Sequence, residues 1–269
     1  MKILTVQDIS CYGQCSTTVA LPVLSAYGHE TVILPSSILS THTGGFKGFT
    51  VHDLTEEMPK IIKHWKSENI TFDAIYTGYI GDGRQFDYIL DIKQNMLNKG
   101  GMFFVDPAMT DHGKMYYGLG DDIIEGMRKM CSLADYILPN ITEACFLTNT
   151  PYSNIQSDGF INTLLSKLYA LGAKNVILTG YEKDNKLGAI AYDGKNRVEV
   201  LKNIEYPSYH GTGDIFSSVI IGNILNGKSM HETLDDATNF IIESIQATKD
   251  DKDHAYGVKF EKVLCKRIK

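Results

Sequence analysis

The chain has 269 residues, 43% of them hydrophobic and 22% charged, enough apolar material to bury a large core as one domain or as one domain with a small appendage. A formal net charge of −6 gives no general attraction to nucleic acid or to an anionic membrane, although a local site for an anion can still be positive. The five cysteines (Cys11, Cys15, Cys131, Cys145, Cys265) are odd in number and scattered, which suits a reducing cytoplasm better than a disulfide framework.

In chain order, "KILTVQD" reads as a buried strand whose apolar run, interrupted by Asp8, is too short for a signal peptide. The uncharged run from Ile9 to Gly28 contains Ser, Gln, Thr, Tyr, Pro and Gly, a poor composition for a lipid-spanning helix. Within it, "STTVALPVLSAYG" reads as a helix closed by Gly28, and Cys11 and Cys15 lack the second pair that a structural zinc site needs. "TVILPSSIL" is extended, and the polar, Gly-rich segment that follows suits a loop or a small flap around residues 40–49. "HDLTEEMPKIIKHWKSEN" has helical spacing, with Asp53 or Thr55 as caps. Next come the strand "FDAIYTGYIG", a helix through "RQFDYILDIKQNMLNKG", and the strand "GMFFVDPAM", ended by Asp-Pro. "DYILPNITEACFL" is a strand, a turn at Pro139 and a short helix. "GFINTLLSKLYALG" and "KNVILTGY" continue the alternation, "GAIAYDG" and "RVEVLKN" form a hairpin, and helices follow over 212–226 and 231–248. Helices alternating with continuously apolar strands predict an α/β fold with a mainly parallel sheet covered on both faces.

"GNILNGKS", Gly222 to Ser229, matches the Walker A pattern. However, Phe216, Val219, Ile220 and Ile224 share one helical face, so the match falls inside and just beyond a helix that Gly227 ends. Too little chain remains for the later strands of such a domain.

The stretch with chemistry is "HGTGDIFSS". Glycines at 211 and 213 let backbone approach an anion at a helix N-terminus, where free N–H groups and the helix dipole favour phosphate. Asp214 in the first turn is either a dipole partner of its helix or a carboxylate placed to take a proton from an attacking hydroxyl.

"VQDIS", "STHTGG", "DPAMTDHGKMY", "LPNITEA", "VILTGY" and "HGTGD", in that order, resemble segments of the pyridoxal (pyridoxamine) kinases of the ribokinase-like superfamily, over residues 3 to about 225. The resemblance implies a single ribokinase-like three-layer sandwich over 1–269, with a small flap around 40–49, in which ATP and an alcohol meet at the strand C-terminal ends. It implies that Asp214 is the catalytic base for the 5′-hydroxymethyl group of pyridoxal, and that Gly211, Thr212 and Gly213 form the anion hole. Asp106 and Glu143 correspond to the acids that organise Mg2+, in part through water. Asn140, Thr179 and Asp111 fall near the ATP phosphates, and at Thr179 a monovalent cation such as K+ stands in for the lysine some relatives carry. Asp8, Ser10, Thr43 and Tyr79 fall in the vitamer pocket. The adenine pocket is assigned to 201–210 and the helix near Asn239, and the assembly is expected to be a homodimer.

Each residue also has a plainer role open to it: Asp106 as a turn cap, Glu143 as a first-turn helix acid, Tyr79 as core, and His42 as a loop hydrogen-bond donor. Asp8 stands where many pyridoxal kinases have serine, and Ser16-Thr17 where they have Gly-Asn, so the preferred vitamer stays open. Asp8 either pairs with a protonated ring nitrogen or amine, or caps the following turn. Hydroxymethylpyrimidine kinase, on the same fold, typically has cysteine at the Asp214 position. A non-catalytic relative that binds vitamer or nucleotide is the alternative from another class.

Overall fold

The segment KILTVQDIS becomes β1 (Lys2–Ser10), in which Ile3, Leu4 and Val6 are wholly excluded from solvent. Such a strand has no polar face to offer water and belongs in the middle of a sheet covered on both sides. The computed structural model describes residues 1–116, 118–203, 209–251, 253–254 and 256–267. After β1 come α1 (Thr17–Ala26), β2 (Glu30–Leu39), β3 (Val51–Asp53), α2 (Met58–Ser67), β4 (Phe72–Thr77) and α3 (Arg84–Asn95). Then follow β5 (Leu97–Val105), the small hairpin β6 (Thr110–Asp111) and β7 (Lys114–Met115), α4 (Asp121–Ser132), β8 (Tyr136–Ile137), α5 (Ile141–Leu147) and α6 (Asp158–Ala170). The chain continues through β9 (Asn175–Lys183), β10 (Lys186–Tyr192), β11 (Arg197–Asn203), α7 (Thr212–Leu225), α8 (Met230–Thr248) and α9 (Glu261–Arg267).

The main sheet runs β11-β10-β9-β8-β5-β4-β1-β2-β3. Its centre, from β9 through β2, is parallel, and β3, β10 and β11 pair antiparallel at the two edges. Successive strand residues face opposite sides, and this alternation splits the core in two. Leu4, Val6, Ile75, Phe103 and Val105 pack against α2 to α6, whereas Ile3, Ala74, Tyr76 and Phe104 pack against α1, α7, α8 and α9. The result is the expected three-layer α/β sandwich.

Several elements differ from the sequence reading. Asp53 caps no helix: it ends β3, and its carboxylate accepts the Thr55 N–H at 2.8 Å in a local turn. The helix after it starts only at Met58, with Pro59 in its first turn, where a missing N–H costs nothing. The helix expected through residue 100 stops at Asn95, because Leu97 already pairs with Phe72 in the sheet. Helices α4 and α9 and the β6–β7 hairpin were not foreseen.

The Walker-like stretch is resolved by packing. Gly222 lies inside α7, where an added Cβ would come within 2.8 Å of Tyr27. Gly227 (φ 76°) follows the end of that helix, and Ser229 caps α8 in a reciprocal capping box with Glu232. No phosphate loop forms there.

Candidate active site

Parallel strands place their C-terminal ends on one edge of the sheet, so side chains far apart in sequence converge there. Asp8 and Ser10 come from the end of β1, Tyr79 from beyond β4, Asp106 from just after β5, and Asn140 from the turn after β8. Facing them is the N-terminus of α7. Gly211 adopts φ 78°, a left-handed conformation that favours glycine, and a Cβ there would lie 1.7 Å from the Gln14 carbonyl oxygen. By contrast, nothing lies within 4 Å of where a Cβ on Gly213 would stand. The first-turn N–H groups of Thr212, Gly213 and Asp214 have no intrahelical acceptor, as at any helix start. With the Gly211 N–H, these donors stand beside that opening. Thr212 itself turns its hydroxyl back to the Tyr209 carbonyl at 3.0 Å.

Asp214 keeps part of its surface in solvent, but its carboxyl is largely desolvated. Burial first, and the Asp106 and Asp8 charges after it, push its pKa up to about 7, against the lowering effect of the Ser16 backbone N–H. Ser16 holds that N–H in place with φ 51° and ψ −131°, a backbone that glycine would adopt without strain. The Ser16 hydroxyl also hydrogen-bonds Asp8. The Asp8 carboxylate also accepts from Ser10 at 2.8 Å, and burial drives its pKa upward. Cys15 sits against Asp214 and Asp8, where burial and both charges keep it a neutral thiol.

Deeper in, Ser217 donates to Asp106 Oδ2 at 2.7 Å, and the Asp106 N–H bonds the Thr77 carbonyl. Glu143 is the N3 acid of a capping box with Asn140: one oxygen accepts the Asn140 N–H at 2.8 Å and the other the Met109 N–H at 3.2 Å. The plainer role weighed for Glu143 is therefore realised, but only in part. Its carboxyl is fully buried; burial and then repulsion from Asp106 raise its pKa, while burial raises that of Asp106 against the lowering effect of Ser217. Asp8, Asp214, Asp106 and Glu143 thus form a line of acids in which electrostatic repulsion links each to the next. Tyr76, buried beneath Asp106 and Asp214, is held as a neutral phenol by burial and by their charge.

The remaining residues are placed less uniformly. Asn140 spends both ends of its amide within the fold, accepting the Glu143 N–H and donating to the Thr110 carbonyl at 2.9 Å. Thr179 forms a β-bridge with Asn140, and its hydroxyl turns back to the Pro139 carbonyl. Asp111 lies exposed on β6, close enough to add to the repulsion on Glu143. Tyr79 is half-buried, with Asp8 and Asp53 acting on its hydroxyl. Thr43 is exposed and has no side-chain hydrogen bond among the described residues. Of the adenine assignment, Asn239 bonds Asp235 within α8, and residues 204–208 lie outside the described residues. Among the described residues, no three His, Cys, Asp or Glu side chains converge as a metal cage.

Sequence reasoning missed the cluster that seats the 40–49 segment. His42 Nδ1 accepts the Gly44 N–H at 3.1 Å, so Nε2 carries the proton and donates to the Tyr256 carbonyl at 2.9 Å. Its ring lies 5.0 Å from Phe46 and 5.4 Å from His210, next to Gly211, and Tyr12 packs on both Phe46 and Tyr256. Four segments far apart in sequence meet here, and no local pattern announces such a contact.

The acid line has a consequence for stability. In the folded protein Asp214 holds its proton up to about pH 7, while the unfolded chain releases it near the ordinary 3.8. Between those values the native state binds more protons, so this contribution to stability falls as pH rises through the window. The thermal midpoint of the free protein is expected to drop by a few degrees from pH 6 to pH 8. Scanning calorimetry in EDTA reads this, and a midpoint that rises over the same interval would contradict it.

Solved structures share this architecture. Pyridoxal kinase from Lactobacillus plantarum superimposes with a TM-score of 0.91 at 30% identity, covering 99% of this chain and 96% of that one. The fold is that of the ribokinase-like kinases.

The family model for phosphomethylpyrimidine kinase matches residues 21–259, and the chain belongs to that family. A provisionally assigned phosphomethylpyrimidine kinase from Bacteroides thetaiotaomicron, crystallised with pyridoxal, is 36% identical with a TM-score of 0.93, covering 99% of this chain and 95% of its own. Pyridoxal kinase from Arabidopsis thaliana is 27% identical over 91% of this chain and 80% of its own. No helix among the described residues is long and apolar enough to cross a membrane.

Proposed function

We propose that the chain is a vitamin B6 kinase, transferring the γ-phosphoryl group of ATP to the 5′-hydroxymethyl group of pyridoxal, and of pyridoxamine and pyridoxine, to give the 5′-phosphates. The observation that carries this reading is Asp214 at the α7 N-terminus, its pKa near neutrality, beside an open glycine-flanked donor set. The pyridoxal-bound relative from B. thetaiotaomicron supports the choice of acceptor.

In this mechanism the vitamer hydroxyl lies between Asp214 and the γ-phosphorus. Its oxygen attacks phosphorus as its proton passes to the Asp214 carboxylate, and the bond to the β-phosphate oxygen breaks to release ADP. The N–H groups of Gly211, Thr212 and Gly213 stabilise the charge on the transferring group. Asp8 pairs with a positive centre on the vitamer, and Tyr79 borders the ring. The 40–49 segment closes over the substrate and excludes water, favouring transfer over hydrolysis.

The acids also fit Mg2+. Glu143 has both oxygens engaged by backbone N–H groups, but Asp106 Oδ1 accepts no hydrogen bond among the described residues. Two mutually repelling buried carboxylates suit a cation that keeps most of its water and binds chiefly through phosphate. Bound there, Mg2+ would neutralise phosphate charge.

Hydroxymethylpyrimidine is the second acceptor to consider, because the family takes its name from a pyrimidine kinase and a Bacillus subtilis hydroxymethylpyrimidine/phosphomethylpyrimidine kinase is 26% identical over 84% of this chain. The test is product formation from Mg2+-ATP with pyridoxal, pyridoxamine, pyridoxine and hydroxymethylpyrimidine in parallel. Turnover of a B6 vitamer well above that of the pyrimidine is expected. Turnover of the pyrimidine alone would move the protein to pyrimidine phosphorylation, and turnover of none would overturn the kinase reading.

A further inference from the structure

Buried hydroxyls inside helices often return to the carbonyl four residues back, and four in α7 and α8 do so. Ser218 bonds the Asp214 carbonyl, Thr238 that of Leu234, Ser244 that of Phe240 and Thr248 that of Ser244. Ser217 departs from it. Only 2% exposed, it leaves its own helix and donates at 2.7 Å to Oδ2 of Asp106, 111 residues away in sequence.

The contact sits at a joint between two parts of the site. Ser217 follows Asp214 by three positions, so both project from the same face of α7 toward the end of β5. Among the described residues, Ser217 is the one side chain that donates to Asp106. Held through Oδ2, the carboxylate is favoured in one orientation, and Oδ1 is left as the oxygen without a donor. The bond also fixes how far the N-terminus of α7 stands from Asp106, and hence the distance from the donor set and Asp214 to whatever Asp106 holds.

We infer that Ser217 is a positioning residue for the phosphoryl transfer: its hydroxyl orients Asp106 toward the nucleotide-bound divalent cation and locks that carboxylate to the helix bearing Asp214 and the anion hole. This rests on the kinase reading above, since it assigns Ser217 a part in that same site. The hydroxyl reaches no substrate itself. It acts by holding a carboxylate at a fixed angle, as hydrogen-bond partners of metal-binding carboxylates do, and losing such a partner costs roughly 10–100-fold in metal affinity or activity.

The experiment compares wild type with Ser217→Ala, which removes the hydroxyl, Ser217→Cys, which keeps its size without a strong donor, and Ser217→Thr, which keeps the donor. Thermal unfolding first identifies the variants that fold. Mn2+ binding is then titrated by electron paramagnetic resonance in the presence of ADP, and kcat and KM for pyridoxal are measured at several Mg2+ concentrations. Expected for Ser217→Ala and Ser217→Cys are Mn2+ affinity down about 10-fold, kcat down ~10–100-fold and pyridoxal KM within about twofold, with Ser217→Thr recovering most of both losses. Folded alanine and cysteine variants with wild-type Mn2+ affinity would overturn the inference, whether or not kcat changes, because the hydroxyl would then act elsewhere. If wild type phosphorylates none of the vitamers, the functional reading fails on its own, and the Mn2+ titration still decides the role of Ser217.

Discussion

Asp214→Asn is expected to lower kcat with pyridoxal by roughly 10²–10⁴-fold, the range a positioned general base contributes, while pyridoxal affinity changes only a few fold. The amide keeps the shape of the side chain and cannot take the hydroxyl proton. The pH dependence provides a second, independent mark. A base must be ionised to act, and the Asp214 pKa lies near 7 in the free protein, so kcat/KM of wild type should rise with pH through that region. The variant should lose that limb along with its activity.

Stability separates chemistry from damage. Replacing a buried carboxylate that is repelled by Asp106 and Asp8 relieves the acid line, so Asp214→Asn should melt at or above the wild-type temperature at pH 8. Steady-state kinetics from pH 5.5 to 9, with calorimetry on the same preparations, provide the check. A variant retaining a tenth or more of wild-type kcat would remove Asp214 as the base, and Asp214→Ala guards against reversion of asparagine by deamidation.

Gly211→Ala carries the second large effect, and it should act on the fold and the reaction together. The added methyl would lie 1.7 Å from the Gln14 carbonyl oxygen, at a φ of 78° that side chains avoid. Gln14 has little room to yield: its N–H bonds the Tyr256 carbonyl, its amide reaches Glu261, and Gly257 crosses it at close range. The backbone at 211 must therefore move, taking with it the turn that starts α7 and aims the first N–H groups. A loss of about 2–4 kcal/mol in stability is expected from the left-handed conformation and the backbone clash together. In the protein that still folds, kcat should fall about 10²-fold, the scale of one displaced anion-hole donor. Gly213→Ala is the contrasting variant, since open space surrounds that position and the free protein should fold as wild type does. Urea unfolding with single-turnover kinetics reads both effects. A Gly211→Ala protein with wild-type stability would show that the turn is not under the constraint described.

Much of the architecture was legible locally. Alternation of continuously apolar strands with helical patterns is a short-range signal, and it led to a doubly covered parallel sheet because such strands leave no face for water. The strands that escaped are those whose formation depends on a distant partner. β3 exists because Ser37, Ile38 and Leu39 lie beside it, and Leu97 leaves the helical pattern because Phe72 pairs with it. Helical spacing alone settles the ambiguity at Gly222–Ser229, and the packing of Tyr27 over Gly222 agrees with it.

The site divides in the same way. The glycine turn, Asp214 in the first turn of α7 and Glu143 in the first turn of α5 were readable, because backbone chemistry ties those residue types to helix starts. Seeing Glu143 and Asp106 as one electrostatic unit required the sheet to bring them together, and so did the raised pKa of Asp214, since burial and long-range charge have no local pattern. The His42 bridge, the Gln14 clamp on Gly211 and the reach of Ser217 to Asp106 join segments that only the folded chain makes neighbours. Local sequence thus determined most of the elements and where a phosphate cradle with an acid could lie. The tertiary structure alone decided which acids face one another and which hydroxyl holds them, because those contacts depend on distances in space that spacing along the chain does not encode.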